Sequence, residues 1–414
     1  MSPVPTLVLR QATLRDGRRC DVVISGALVV DVVPAGTGVA EKVVDLAGRL
    51  LLPAAAEPHA HLDKAYTWDT IDPPMGDLEA AIVAFHSHQE LLESDDTYAR
   101  AKHAALRLAA NGTTAIRSHV NILPGDRPFR GVDAMVRLRN ELAGTIHLEL
   151  VALPPVDMDD AAIGAALDRG LDLVGGAPHL AEDPIADVRR LLAIAAKRGI
   201  GADLHTDESL TGPLTITEFA RVVMDWPDDR IRTAGHCVRL GTLSEDELAP
   251  VIEAIVAAKL GIISLPITNL YLQGWDHPVS MPRGLTALRP LIDAGAMVSG
   301  GADNVRDPFN PLGRSDAFET AALLVTAGHT TLEEAWHLVS NGAREVMGLP
   351  VADAVPGAAA DFLAVDAASL GQAIAEAPAD RIVIHAGRVI ARSTVTQELF
   401  LSSTTDTTGR IDHG

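Results

Sequence analysis

The sequence predicts an α/β protein: a (β/α)8 TIM-type barrel with a small β-sandwich domain formed by both chain termini. Three observations predict it. From about residue 50 to 350, short apolar runs alternate with stretches rich in Ala, Leu and Arg that carry helical patterning. Counting the apolar run at 50–56, eight such strand–helix units fit into roughly 300 residues, the size expected of this barrel. Strand patterning without intervening helices occurs on both sides of that region, so the simplest arrangement pairs the two ends. A doubly wound open sheet is the alternative for the alternating part.

Composition narrows the function. The chain has 414 residues, 47% of them hydrophobic and only 3% aromatic, which suits a tightly layered interior of small aliphatic side chains. A net charge of −21 argues against nucleic acid as a partner, because phosphates call for basic patches. Two cysteines, Cys20 and Cys237, form no CxxC pair, which fits a reducing compartment. The start Met-Ser-Pro-Val-Pro has neither the basic nor the apolar part of a signal peptide. No run approaches the roughly 18 apolar residues of a membrane span. The expectation is a cytoplasmic protein, a homo-oligomer with a small-molecule substrate and no membrane partner.

In chain order, residues 6–48 read as short strands separated by turns such as Asp16-Gly17. Strands are predicted at 50–56, 113–120, 147–153, 171–175, 201–205, 231–236, 261–265 and 297–301. Helices between them are predicted at 97–110, 161–169, 184–198, 217–225, 245–259 and 285–294, with Gly112, Gly170, Gly199 and Gly295 as stops. Two more follow at 315–327 and 332–347, and strands return at 357–365 and 381–390. The expected division is 1–52 with 355–400 for the small β domain, 53–354 for the barrel and 401–414 for a mobile tail.

The chemistry-bearing residues fall at predicted strand ends. His59 and His61 share one side of a strand, since side chains alternate, and two imidazoles there can hold one divalent metal if other ligands complete the shell. His205, His236 and Asp303 end later strands, and in a barrel all C-terminal strand ends meet at one mouth. His119 also ends a strand and is expected behind the site. His179 is placed either at the pocket or on the surface. His86, His88 and His103 are expected to face solvent from helices, and Cys237 to be an ordinary buried thiol.

The pattern Glu57-Pro58-His59-Ala60-His61-Leu62-Asp63, then His205-Thr206-Asp207-Glu208, Gly235-His236 and Asp303-Asn304-Val305-Arg306-Asp307-Pro308 resembles the amidohydrolase superfamily. Ser118-His119-Val120, Val151-Ala152-Leu153-Pro154 and Leu272-Gln273-Gly274 bring it closer to the cytosine deaminase branch, which includes the N-isopropylammelide aminohydrolases. The resemblance implies one divalent ion, zinc or iron, held by His59, His61, His205 and Asp303. The end of the fourth strand has no lysine of the kind that bridges two ions in other members. The ion's part is to lower the pKa of water. His236 and Asp303 match residues that orient this water and take its proton, and Glu208 matches the proton shuttle. Period-two counting alone would put Asp207, not Glu208, on the side of His205.

The implied reaction is hydrolytic deamination of a pyrimidine-, purine- or triazine-like N-heterocycle at an amidine carbon. The alternatives are cyclic amide hydrolysis, release of an alkylamine at the same ion, and a non-enzymatic binding protein on the same barrel. Pro155 stands where cytosine deaminases carry the glutamine that reads the pyrimidine amide, and Asn304 replaces a second aspartate. Asn304, Gln273, Asn269, Pro155 and His179 are therefore the candidate substrate contacts, with Arg283 a further candidate. Lys64 is expected at solvent or substrate, and Asp307 either behind the ion or as a cap before Pro308.

Overall fold

A computed structural model describes residues 6–400; the predicted tail at 401–414 lies outside the described residues. Eight parallel strands follow one another around a barrel: Ala55–Ala60, Thr113–Asn121, His147–Leu153, Leu173–Val174, Ala202–Thr206, Arg232–His236, Gly261–Ser264 and Val298–Gly300. Neighbours in sequence are neighbours in the sheet, and a parallel bridge between Ala60 and Asp303 joins the last strand's extension to the first. The closing hydrogen bonds run from His61 N to Asp303 O, 3.3 Å, and from Asp303 N to His59 O, 3.1 Å. The sheet is therefore a barrel and not an open one.

The run at 50–56, predicted as one strand, is two. Leu50–Pro53 pairs antiparallel with Phe362–Val365, in the sheet of the termini. Ala54 N still donates to Asp361 O, whereas Ala55 N donates to Gly112 O. The chain thus changes sheets between Ala54 and Ala55, one residue past Pro53, which has no N–H to offer a ladder.

Helices follow local sequence chemistry. Pro184–Arg198 has the predicted bounds: Asp183 accepts from Ala186 N, Pro184 fills the first turn, and Gly199 ends the helix at φ +69°. The predicted helix at 332–347 is two, Leu332–Val339 and Asn341–Val346, broken at Ser340, whose hydroxyl donates to Trp336 O. Arg130–Leu142 is a helix that the patterning did not single out, and Leu78–His88 gives bounds to the helix expected around His86 and His88. The second lies in the long connection after the first barrel strand and overhangs the mouth.

The expected sandwich takes the form of one continuous mixed sheet of eight strands from both termini, with the order 388–393, 381–385, 362–365, 50–53, 7–13, 19–25, 28–34 and with 42–45 beside 7–13. It curls on its own apolar core, which includes Leu9, Ile24, Leu46, Phe362 and Ile384, and a bridge from Leu28 to Ala359 brings its far parts together. Among the described residues, no helix is long and apolar enough to cross a membrane.

Candidate active site

Side chains alternate along a strand, so a residue two places before a strand-end group points into the same barrel interior. Glu57 precedes His59 in this way, Arg117 precedes His119, and Asp203 precedes His205. All six are buried. The barrel interior is thus polar toward its C-terminal mouth, where sequence patterning placed the histidines.

His59 Nε2 and His205 Nε2 lie 3.3 Å apart, and His61 Nε2 and His205 Nε2 3.1 Å. Asp303 Oδ1 stands 3.2 Å from His61 Nε2 and 3.8 Å from His59 Nε2. Nitrogens bound at about 2.1 Å to one tetrahedral ion would be roughly 3.4 Å apart, so this donor set fits a divalent cation. Neither oxygen of Asp303 has a hydrogen-bond partner among the described residues. Burial, with Glu208 and Asp307 nearby, pushes the Asp303 carboxyl well above its ordinary range, so its anion needs a cation beside it. Burial also holds the His61 and His205 imidazoles well below theirs, which keeps their lone pairs free. His59, His119 and His205 make a second triad within reach of a shared ion. Gly235 allows this packing, since a Cβ there would meet the His59 ring at 2.9 Å.

Glu57 ties the first strand to the last. Its carboxylate accepts from His59 N at 3.2 Å and from Ala302 N at 2.9 Å, and burial pushes its pKa up to about 8. The motif quoted for the resemblance contains this residue, but nothing in the pattern gives it this role.

The chain turns sharply after His205. Asp207 sits at φ +51°, and its carboxylate leaves the cavity to cap the helix Thr215–Val223, accepting from Thr215 N at 2.7 Å and Ile216 N at 3.2 Å. That left-handed residue breaks the two-residue period, so Glu208 rather than Asp207 faces the histidines. Glu208 Oε1 lies 3.6 Å from His236 Nδ1, and Oε2 lies 3.6 Å from His179 Nε2. Burial pushes its pKa up to about 8, opposed by the Lys64 ammonium. A carboxyl raised this far toward neutral pH is suited to exchanging a proton there.

A cavity of about 470 Å³ opens in front of these groups, with His61, His205, Glu208, His236 and Asp303 on its floor. Pro155 and Asn304 line it. Gln273 and Asn269 stand behind its wall instead: Gln273 Nε2 donates to Glu208 O at 2.7 Å, and the Asn269 amide lies 2.9 Å from His236 Nδ1. His179 is inside rather than on the surface, its Nδ1 donating to His205 O at 3.2 Å. Arg283 points away, donating to Ala327 O at 2.8 Å. Asp307 caps its turn, accepting from Phe309 N at 2.9 Å, and also accepts from Asn304 Nδ2 at 2.7 Å. Cys237 is a fully buried thiol, as expected.

His86 is exposed on a helix, as expected, and it stands at the cavity rim because Leu78–His88 folds over the mouth. Of the two places expected for Lys64, solvent or the substrate cavity, it takes the cavity side: it is 4% exposed, and its Nζ lies 5.0 Å from the Phe85 ring centre and 4.4 Å from that of Phe309. No ion pair or side-chain hydrogen bond holds that ammonium among the described residues, and it lines the cavity.

A barrel whose mouth gathers these groups around one enclosed cavity is the frame of a hydrolytic enzyme, and comparison with known proteins fixes the class as one acting on C–N bonds. The chain belongs to the amidohydrolase family, whose model matches residues 78–391. It is 31% identical over 389 residues to the pterin deaminase of Rhizobium rhizogenes, a match covering 91% of this chain and 88% of that one. To the N-isopropylammelide isopropyl amidohydrolase of a Pseudomonas species it is 22% identical over 414 residues, covering 94% and 98%. Among solved structures it is similar to N-isopropylammelide isopropylaminohydrolase from Burkholderia multivorans, with a TM-score of 0.79, 28% identity and 94% and 98% of the two chains covered. In fold it is similar to 5-methylcytosine deaminase from Klebsiella pneumoniae, with a TM-score of 0.83, 23% identity and coverage of 95% and 99%.

Proposed function

We propose that the protein hydrolytically deaminates a bicyclic N-heterocycle of the pterin type, with one divalent ion, zinc or iron, held by His59, His61, His205 and Asp303. The observation that carries the reading is the meeting of Glu208 with the histidine–aspartate cluster on the floor of a single cavity. The ion's chemistry would be to polarise water and lower its pKa. Everything else falls to the chain's own side chains. His236 and Asp303 orient the water and take its proton. Glu208 gives a proton to the ring nitrogen beside the reacting carbon, takes one from the new hydroxyl and passes it to the departing amine, and regains its own from the proton taken off the water. The water oxygen bonds to the amidine carbon, the exocyclic C–N bond breaks, ammonia leaves, and the ring keeps an oxo group.

Support for a bicyclic ring comes from size and polarity. The cavity of about 470 Å³ lies in the range, roughly 300–1,000 Å³, of sites that enclose drug-sized ligands, and a single six-membered ring would leave much of it unfilled. Phe85, Phe309, Ile122 and Leu153 offer apolar faces for a flat ring, while Lys64 and Asn304 offer donors to a ring oxygen. Pro155 supplies no side-chain donor or acceptor where cytosine deaminases have glutamine. The similarity to a pterin deaminase agrees with this. The same apolar wall would also receive an alkyl substituent, so alkylamine release is the second reading.

The test is steady-state kinetics on metal-loaded protein with pterin, cytosine, 5-substituted cytosines, isoguanine and N-alkyl aminotriazines, with the released amine identified. Pterin should give the highest kcat/KM with ammonia as product, and cytosine should fall at least ~100-fold below it. Cytosine leading the panel would overturn the argument from Pro155. An alkylamine as the main product would favour the second reading.

A further inference from the structure

Beneath the histidine cluster the barrel axis holds charges that the proposed reaction does not use. Arg117, fully buried, donates from Nη1 to Asp203 Oδ2 at 2.7 Å and to Thr233 Oγ1 at 3.0 Å. Its Nε donates to Glu149, at the barrel's other end. Asp203 is also fully buried, and its second oxygen, Oδ1, has no hydrogen-bond partner among the described residues. Two ring nitrogens approach that oxygen: His119 Nε2 at 3.4 Å and His59 Nδ1 at 3.8 Å. Both of those nitrogens also lack a partner among the described residues. Three unpaired buried polar atoms thus face one another, which is costly unless the two rings carry their protons toward the carboxylate.

We infer that Asp203, kept in place by Arg117, is a positioning residue that sets the tautomer and ring orientation of His59. With its proton on Nδ1 toward Asp203, His59 presents a bare Nε2 to His205 Nε2 and Asp303, the donors assigned above. A carboxylate behind a metal-binding imidazole fixes the tautomer and raises the basicity of the ligand, and losing such a partner costs about 10–100-fold in metal affinity. The guanidinium of Arg117 would serve to hold the carboxylate where both rings reach it. His119 shares the same oxygen, which gives it a place in the site without binding the ion. The inference rests on the metal assignment of the proposed function.

A plain structural plug would make different demands. If Arg117 and Asp203 only filled the barrel, replacing both charges by neutral groups would leave the metal site untouched. Removing Asp203 alone leaves a buried unpaired guanidinium, so Asp203→Asn by itself can fail to fold. The deciding variant is therefore Asp203→Asn with Arg117→Met, compared with the parent by titration of Co(II) followed in the visible spectrum and by competition with a chelator for Zn(II). The expected result is an affinity loss of at least ~10-fold and a changed Co(II) spectrum, with the melting temperature of the metal-free protein little altered. A folded double variant with parental affinity and spectrum would overturn the inference. A parent that binds neither ion would instead overturn the metal assignment itself. Nitrogen-15 NMR of histidine-labelled, metal-free parent needs no variant at all: His59 should be protonated at Nδ1. Protonation at Nε2 would overturn the inference whatever the variants do.

Discussion

Two neighbouring carboxylates, Asp207 and Glu208, show how one backbone angle decides function. Asp207 at φ +51° turns its carboxylate to the helix Thr215–Val223, while Glu208 reaches the cavity. Counting by two from His205 pointed to Asp207, and it failed because the strand ends there; the resemblance pointed to Glu208. Asp207→Ala should therefore cost stability, about 0.5–2 kcal/mol for the lost cap, and keep kcat within tenfold of the parent. Glu208→Gln should keep the fold and lose ~10²-fold or more in kcat. Thermal melts and steady-state rates on both variants check this, and a Glu208→Gln enzyme with parental kcat would remove Glu208 from the chemistry. His61→Ala should lose most of the bound metal, read by elemental analysis, since His61 has a direct line to both His205 and Asp303.

At the scale of elements, the order of strands and the positions of their polar ends were legible because barrels repeat one simple unit. What stayed hidden were residues whose partners lie on distant strands. Glu57 bonds to Ala302 and Arg117 to Asp203, contacts that no local pattern contains. Gly235 belongs to the same class: Gly235→Ala would push against the His59 ring, 2.9 Å from the new Cβ. Its expected outcome is reduced metal content with unchanged circular dichroism; full metal content would mean that the ring can shift freely. The capping box of Leu332–Val339, by contrast, is readable from sequence. Thr331 N donates to Glu334 Oε2 at 2.8 Å, and Arg289 Nη2 donates to Glu334 Oε1 at 2.7 Å. The Arg289 bond, then that of Thr331, holds the Glu334 carboxyl down to about 2. A depressed carboxyl stabilises the fold above its unfolded pKa and loses that effect as pH falls through the folded one. Glu334→Gln should cost about 0.5–1 kcal/mol at pH 7, the small value reflecting solvent screening. The difference should shrink between about pH 4.5 and pH 2, followed by chemical denaturation; a difference constant with pH would assign it to hydrogen-bond shape instead of charge.

At the scale of the whole molecule, the two ends of the chain meet in one sheet that is docked against the barrel, and the docking is specific. A Cβ on Gly112, at φ +110°, would meet Leu363 of the terminal sheet at 2.7 Å. Arg381, on a strand of that sheet, reaches Asp316 with two bonds, 3.0 Å from Nη1 and 2.7 Å from Nη2, and donates to Asn111 O at 2.7 Å. Asp316 in turn caps the barrel helix Ala317–Thr326, accepting from Phe318 N at 3.1 Å. The pairing of the termini was foreseeable from strand patterning at both ends, but this joint was not, because its partners are 65 residues apart in the chain. Arg381 is only 3% exposed and Asp316 is half-buried, so removing the guanidinium leaves a partly desolvated carboxylate without its partner. Arg381→Met should then destabilise by about 2–3 kcal/mol, less than for a fully buried pair. Adding Asp316→Asn should restore more than half of that loss, since asparagine caps a helix nearly as well as aspartate and carries no charge to strand. Denaturation of the two single variants and the double gives the coupling directly. Strictly additive losses would mean that the guanidinium and the carboxylate act separately, and that the terminal sheet is held to the barrel by its apolar contacts alone.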